Sequence, residues 1–137
     1  MDRNIQLLGI AKKAGLLAVG GDAVSIAARE RKAKLVLSAS DASERAIRRA
    51  RINAKTGGAV YIAIPYTRFE LGNVTGRGSP GTVAVLDIGL AAGFTKGLLA
   101  ETGPDRYGKA AEQLAEQARV RTEAKKSTQS RKRRTTI

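Results

Sequence analysis

Four short, largely apolar runs constrain this chain most: Leu16–Val19, Lys34–Ser38, Val60–Ile64 and Thr82–Leu86. None exceeds five residues. That length suits strands and falls far short of the roughly 20 residues a membrane helix needs. Segments with helical spacing separate the runs. Ile5, Leu7, Leu8, Ala11 and Ala14 form one apolar face, and Gly15 can stop that helix. Gly20-Gly21 turns the chain into a second helix, which presents Ala23, Val24, Ala27 and Ala28 on one side. Asp22 is its expected N-cap. Asp22, Ser25, Arg29 and Lys32 follow at i, i+3, i+7 and i+10, on one polar face. The Lys34–Ser38 run is continuous rather than alternating, as in a strand buried on both faces.

Asp41-Ala42-Ser43-Glu44 opens a third helix, with Asp41 and Glu44 spaced as in a capping box. Ala46, Ile47, Ala50 and Ala54 form its buried side, and Gly57-Gly58 ends it. Arg45, Arg48 and Arg49 point the other way. Thr67-Arg68-Phe69-Glu70 is a capping box before a short helix reaching about Val74. A glycine-rich loop, Gly76–Gly81, leads to the fourth run, and Ile88–Leu99 is a helix weakened by Gly89, Gly93 and Gly97. Alternating helices and strands predict an α/β fold, here a three-layer α/β/α sandwich around a four-stranded mixed sheet. Residues 1–100 make up that sandwich. Residues 101–137 are expected to add a C-terminal helix, from about Asp105 to Glu123, with a thin apolar face of Ala111, Leu114, Ala115 and Ala118. So thin a face predicts a weakly packed appendage.

Composition narrows the function. The 137 residues contain no Cys and no His, which excludes thiol nucleophiles, His-based triads and ordinary zinc sites. Aromatic residues make up 4%, too few for a base-stacking platform. No carboxylate pair stands at catalytic spacing in an apolar setting, and no cofactor motif is present, so a non-catalytic protein without cofactor or small-molecule substrate is expected. The start, Met1-Asp2-Arg3-Asn4, lacks the pattern of a secretion signal. With no membrane span either, a soluble, cytoplasmic protein is expected.

The net charge is +13, which points to a polyanionic partner, nucleic acid above all. It is unevenly spread. Residues 1–100 carry +8, residues 101–116 carry −2 and residues 117–137 carry +7. The last block includes Arg131-Lys132-Arg133-Arg134 and almost nothing apolar. Such a segment is expected to be a disordered basic tail, because it buries too little to offset its ordering entropy.

Two glycine motifs are candidate sites. Gly76-Arg77-Gly78-Ser79-Pro80-Gly81 matches G-x-G-x-x-G. The dinucleotide fingerprint, however, follows a strand and opens a helix; this segment does the reverse, so it reads as a loop in which Arg77 can touch a nucleic-acid backbone. Gly20-Gly21-Asp22 opens a helix, where free amides attract phosphate or base acceptors.

The order of these segments resembles the ribosomal "L seven Ae" superfamily. The likeness rests on the Gly20-Gly21-Asp22 helix start, the Ala33-Lys34-Leu35-Val36-Leu37 strand and the Ser40-Asp41-Ala42-Ser43 cap. Leu71-Gly72-Asn73-Val74-Thr75-Gly76, Thr82-Val83-Ala84-Val85 and Asp87-Ile88-Gly89-Leu90-Ala91 extend it across about residues 4–100, towards the bacterial ribosomal-protein-like subgroup. The resemblance implies an α/β/α sandwich that binds kink-turn RNA in ribonucleoprotein particles. It also implies contact through Gly20, Gly21 and Asp22, and through the loop Arg77–Gly81. Asp22 stands where the family has Asn, so it can accept but not donate. Ala23 replaces the family's Glu and Ile26 its Lys.

The resulting expectation is an RNA-binding protein for ribosomal or other structured RNA, acting in translation or on the ribosome. Phosphate contacts are expected from Lys13, Arg29, Lys32, Lys34, Arg48 and the tail. Shape readout is expected from Gly20, Gly21, Asp22 and Ser25, and from Arg77 and Gly78. The alternative is a protein-interaction module on a ribonucleoprotein particle whose tail alone touches RNA.

Overall fold

A computed structural model of the chain describes the backbone of residues 3–135 and the side chains of residues 4–103 and 105–125. The fold is an α/β/α sandwich. Strands β1 (Leu17–Val19), β2 (Leu35–Ser38), β3 (Val60–Ala63) and β4 (Thr82–Val85) form one sheet in the order β1-β4-β2-β3. β2 and β3 are parallel, whereas β4 runs antiparallel to both its neighbours. The sheet is therefore mixed.

Alternation along the strands sorts the side chains into two cores. Leu35, Leu37, Val83 and Val85 face helices α1 (Arg3–Lys13), α4 (Arg68–Thr75), α5 (Ile88–Thr102) and α6 (Pro104–Thr135). Val36 and Ala84 face α2 (Gly21–Arg29) and α3 (Glu44–Gly57), whose buried residues are Val24, Ala27, Ala28, Ala50, Ala54 and Gly57. Alanine on that side lets the two helices approach closely. A Cβ on Gly57 would lie 2.7 Å from the Ala28 carbonyl oxygen.

Local chemistry sets most helix ends. Thr67 and Glu70 form the expected capping box, and Gly58 ends α3 in the left-handed conformation. The start of α3 differs from expectation. Ser43, not Asp41, is the cap, and its hydroxyl accepts from the Ala46 amide at 3.1 Å. Asp41 instead accepts from the Arg68 amide at 2.8 Å, tying α3's approach to α4. A carboxylate two residues outside a helix is free to bond a neighbouring element.

The C-terminal helix corrects two expectations. It is not an appendage. Tyr107, Ala111 and Leu114 are buried, Ala118 packs beside them, and Ala115 is the exposed member of the expected face. Tyr107, Ala111, Leu114 and Ala118 recur at spacings of four and three, a narrow seam suited to one neighbouring helix. That neighbour is α5, whose buried Ala91, Phe94 and Leu98 share the larger core with Tyr107 and Leu114. The face is thin, but two of its side chains, Tyr107 and Leu114, are large and fully buried. The Tyr107 hydroxyl donates to the Ala63 carbonyl at 2.9 Å.

Nor is the basic segment without backbone order: α6 continues to Thr135. Gln, Ala, Lys, Arg and Glu are good helix formers. The docked first half supplies the nucleus, so the rest needs only propagation. The side chains of Arg131-Lys132-Arg133-Arg134 lie outside the described residues, as do Thr136 and Ile137.

Arg121 fastens α6 to the start of α5. Its guanidinium donates to Asp87 at 3.0 Å, and Asp87 also accepts from the Leu90 amide at 2.9 Å as the N-cap of α5. The Leu90 amide, then Arg121, hold the Asp87 carboxyl below its ordinary value of 3.8. A carboxyl lowered on folding stabilises the fold fully above its ordinary value, and that contribution is lost as pH falls through the lowered one. The urea midpoint of the native chain should therefore exceed that of Asp87→Asn at pH 7, and the gap should narrow once the pH is taken below the ordinary carboxyl value of 3.8. Equal gaps at both pH values would show that the pair does not hold the helix.

Candidate nucleic-acid interface

Because β4 alone is antiparallel, the ends of β1, β2 and β3 and the start of β4 share one end of the sheet, with Val19 opposite Val83 and Ser38 between Thr82 and Ala63. Gly20 leaves β1 at this end with φ 94° and ψ 157°, a conformation essentially reserved for glycine. Its amide donates to the Thr82 carbonyl at 2.9 Å, which pins the turn to β4. Gly20 is also the N-cap of α2, and no side chain caps that terminus. The first amides of α2 are thus presented without a side-chain acceptor.

α3 begins at the same end. Ala46, Arg49, Ala50 and Asn53, spaced i, i+3, i+4 and i+7, face the turn. A Cβ on Gly21 would lie 2.8 Å from an Arg49 guanidinium nitrogen. Arg49 donates to the Asp22 carboxylate at 3.0 Å, and Asn53 donates to the Ser25 hydroxyl at 2.9 Å. Gly81 closes the other side, with a Cβ there falling 3.8 Å from Ala42 and Ala46. Gly21, Ala46, Arg49, Ala50, Asn53, Gly81 and Thr82 line a cleft of about 100 Å³.

Further cations stand at the same end of the sheet. Arg45 and Arg48 are exposed on α3, and Arg77 and Gly78 are exposed in the loop between α4 and β4. Arg68 pairs with Asp41 at 3.7 Å. Among the described residues, Arg45, Arg48 and Arg77 make no ion pair. The loop is held by a close backbone approach: a Cβ on Gly72 of α4 would lie 1.7 Å from the Gly78 carbonyl oxygen. Free amides, guanidinium groups and one carboxylate equip this end to bind anions and the polar edges of bases. The side chains with displaced titration, Asp87, Tyr107, Glu116 and Arg119, do not line the cleft.

The residues singled out from the sequence split into two groups. Gly20, Gly21, Asp22, Ser25, Arg48, Arg77 and Gly78 belong to this end. Lys13 ends α1, Arg29 ends α2, and Lys34 precedes β2, so these cations lie at the opposite end. α3 connects the two ends with 14 residues, about 20 Å of helix. Two assignments change. Asp22 is not the N-cap: it is the second residue of α2 and turns to Arg49. Lys32 does not continue the polar face of α2, because the helix ends at Arg29; its ammonium pairs with Glu30 at 3.1 Å. Sequence reasoning left Arg49, Asn53 and Arg68 out of the site. The helical spacing of Arg49 and Asn53 was visible, but not which neighbour their face would meet.

No family model and no curated protein matches this chain. Solved structures do: 199 chains match. One is described as a protein with unknown function from Bacillus halodurans. It covers 72% of this chain and 98% of its own, with a TM-score of 0.64 and 20% identity. At that identity the likeness shows a shared sandwich and selects no activity. Among the described residues no helix is long and apolar enough to cross a membrane.

Proposed function

We propose that this is a non-catalytic RNA-binding protein of the "L seven Ae" kind, which grips kinked, structured RNA with the Gly20 end of its sandwich. One observation carries the reading. The uncapped Gly20–Asp22 turn, Arg49 of α3 and the start of β4 meet at one cleft, and the Arg77 loop enters β4 at the same end of the sheet. The amides of the turn receive base or phosphate acceptors. Asp22 accepts from guanine N–H groups. Arg45, Arg48 and Arg77 supply phosphate contacts, and Arg49 is shared between Asp22 and the RNA. Ribosomal or other structured RNA is the partner, and the cytoplasm the compartment, of this reading.

The test compares a kinked hairpin containing sheared G·A pairs with a plain duplex, by fluorescence anisotropy. The native chain should prefer the hairpin, and Arg48→Ser with Arg49→Ser should weaken hairpin binding at least tenfold, since a hydrogen bond to a charged group contributes about 1.5–3 kcal/mol. Asp22→Asn should tighten it severalfold by removing a negative charge and adding a donor. Equal affinity for both RNAs, unmoved by these changes, would refute the reading.

The interaction-module alternative has one observation in its favour. Between α5 and α6 runs a mostly apolar groove of about 410 Å³, lined in part by Ala92, Gly93, Leu99 and Ala111. A chain ending at Lys125 that loses all RNA affinity would favour that alternative.

A further inference from the structure

The second group of cations does not scatter. α2 ends in a tight turn in which the Glu30 amide bonds the Ile26 carbonyl, Arg31 bonds Ala28 and Lys32 bonds Ala27. The residue in the left-handed position of that turn, where glycine is favoured, is Arg31 at φ 57°. A charged side chain thus occupies a position whose backbone disfavours any side chain. Its guanidinium reaches over the end of α3, 3.6 Å from where a Cβ on Gly58 would lie. Lys55, in the last turn of α3, is exposed nearby, as are Arg29 and Lys32. Lys34 shares a cleft of about 280 Å³ with Asp87 and Arg121. Glu30 and Asp87 are engaged by Lys32 and Arg121. Arg29, Arg31, Lys34 and Lys55 make no ion pair among the described residues.

α6 adds direction. It starts beside Ala63 at the Gly20 end and reaches Asp87 at the Lys34 end. Its 32 residues span about 48 Å, more than twice the length of α3, so its final turns run past the Lys34 end. The sequence of those turns is basic. None of the exposed large apolar side chains, Ile10, Ile26, Ile52, Phe69 and Val120, lies in the Arg29–Lys34 turn or the last turn of α3. A cationic surface without an apolar anchor matches a phosphate backbone better than a protein groove or a bilayer.

We infer that the Lys34 end, formed by Arg29, Arg31, Lys32, Lys34 and Lys55, is a second RNA surface that takes duplex backbone without sequence preference. One molecule then bridges two RNA segments, a kinked one at the Gly20 end and a duplex about 20 Å away. This inference rests on the reading of the Gly20 end as an RNA site.

The experiment immobilises the kinked hairpin, loads the full-length chain, washes, and offers a fluorescent RNA duplex of about 20 base pairs. The native chain should recruit the duplex. A chain with Arg31→Gly, Lys32→Ser and Lys34→Ser should hold the hairpin within twofold yet recruit at least tenfold less duplex. Arg31→Gly alone should leave the urea midpoint unchanged or raised while still weakening recruitment, which a purely structural Arg31 would not do. Undiminished recruitment by the triple variant would overturn the inference and assign the duplex to the basic end of α6. So would recruitment of vesicles of equal phosphatidylglycerol and phosphatidylcholine in place of duplex. If the native chain fails to hold the hairpin, the reading of the Gly20 end fails instead. The second surface is then judged by direct duplex anisotropy, where the same triple variant must lose at least tenfold in affinity for the inference to stand.

Discussion

Leu114→Ala is expected to lower the unfolding free energy by about 3 kcal/mol, within the range for deleting a buried leucine side chain. Leu114 is fully buried in the larger core, in the same seam of α6 as Tyr107 and Ala111. The deletion leaves a cavity that its neighbours can fill only partly, because Tyr107 is held by its bond to Ala63 and Arg121 by Asp87. The loss should be read as a fall in the urea midpoint with an unchanged slope. If α6 were an appendage on a self-sufficient sandwich, the midpoint would barely move and only helical content would fall. That second outcome would overturn the packing described for α6. For a domain with a total stability of about 5–15 kcal/mol, a loss near 3 kcal/mol is severe.

Gly72→Ala is expected to cost about 2 kcal/mol or more and to displace the loop Gly76–Gly81. The usual rule for a helix interior predicts a gain of nearly 1 kcal/mol, since alanine favours helix over glycine. Here the rule is reversed by contact. The added Cβ would lie 1.7 Å from the Gly78 carbonyl oxygen, a backbone atom that cannot rotate away. Either α4 or the loop must shift, and overpacking of this kind costs about 1–3 kcal/mol. The loop is the freer partner, because Arg77, Gly78 and Ser79 are exposed. Amide exchange should accelerate at Arg77 to Ser79 while the strands stay protected, and affinity for the kinked hairpin should fall with it. A stabilised variant with an unmoved loop would show that Gly72 and Gly78 do not meet.

How far the sequence was readable depended on range. The capping box Thr67–Glu70 and the stop at Gly58 involve residues within one turn of each other, and both stand where local chemistry puts them. Asp22 and Asp41 look like caps by the same local rules, yet each is taken by a partner 27 residues away, Arg49 and Arg68 respectively. A carboxylate near a helix start has several good acceptor roles, and proximity in the fold chooses among them. α6 was misjudged for a related reason. The thin face expected from residue 111 onward omits Tyr107, which with Leu114 is fully buried in the core shared with Phe94 and Leu98 of α5 and bonds to β3.

The candidate site shows the same division. Composition excluded thiol, histidine and disulfide chemistry outright, because chemistry cannot be done by residues that are absent. Periodicity determined the alternation of elements and so the α/β class, since apolar spacing reports which face each element must bury. The charge of +13 pointed to a polyanion but carried no address. Only the tertiary structure divided the cations between two ends of the sheet. The antiparallel run of β4 brings the Arg77 loop beside the Gly20 turn, and the crossover from α2 to β2 carries Arg29, Arg31, Lys32 and Lys34 to the other end. Strand direction is set by pairing between residues dozens of positions apart, and no local pattern records it.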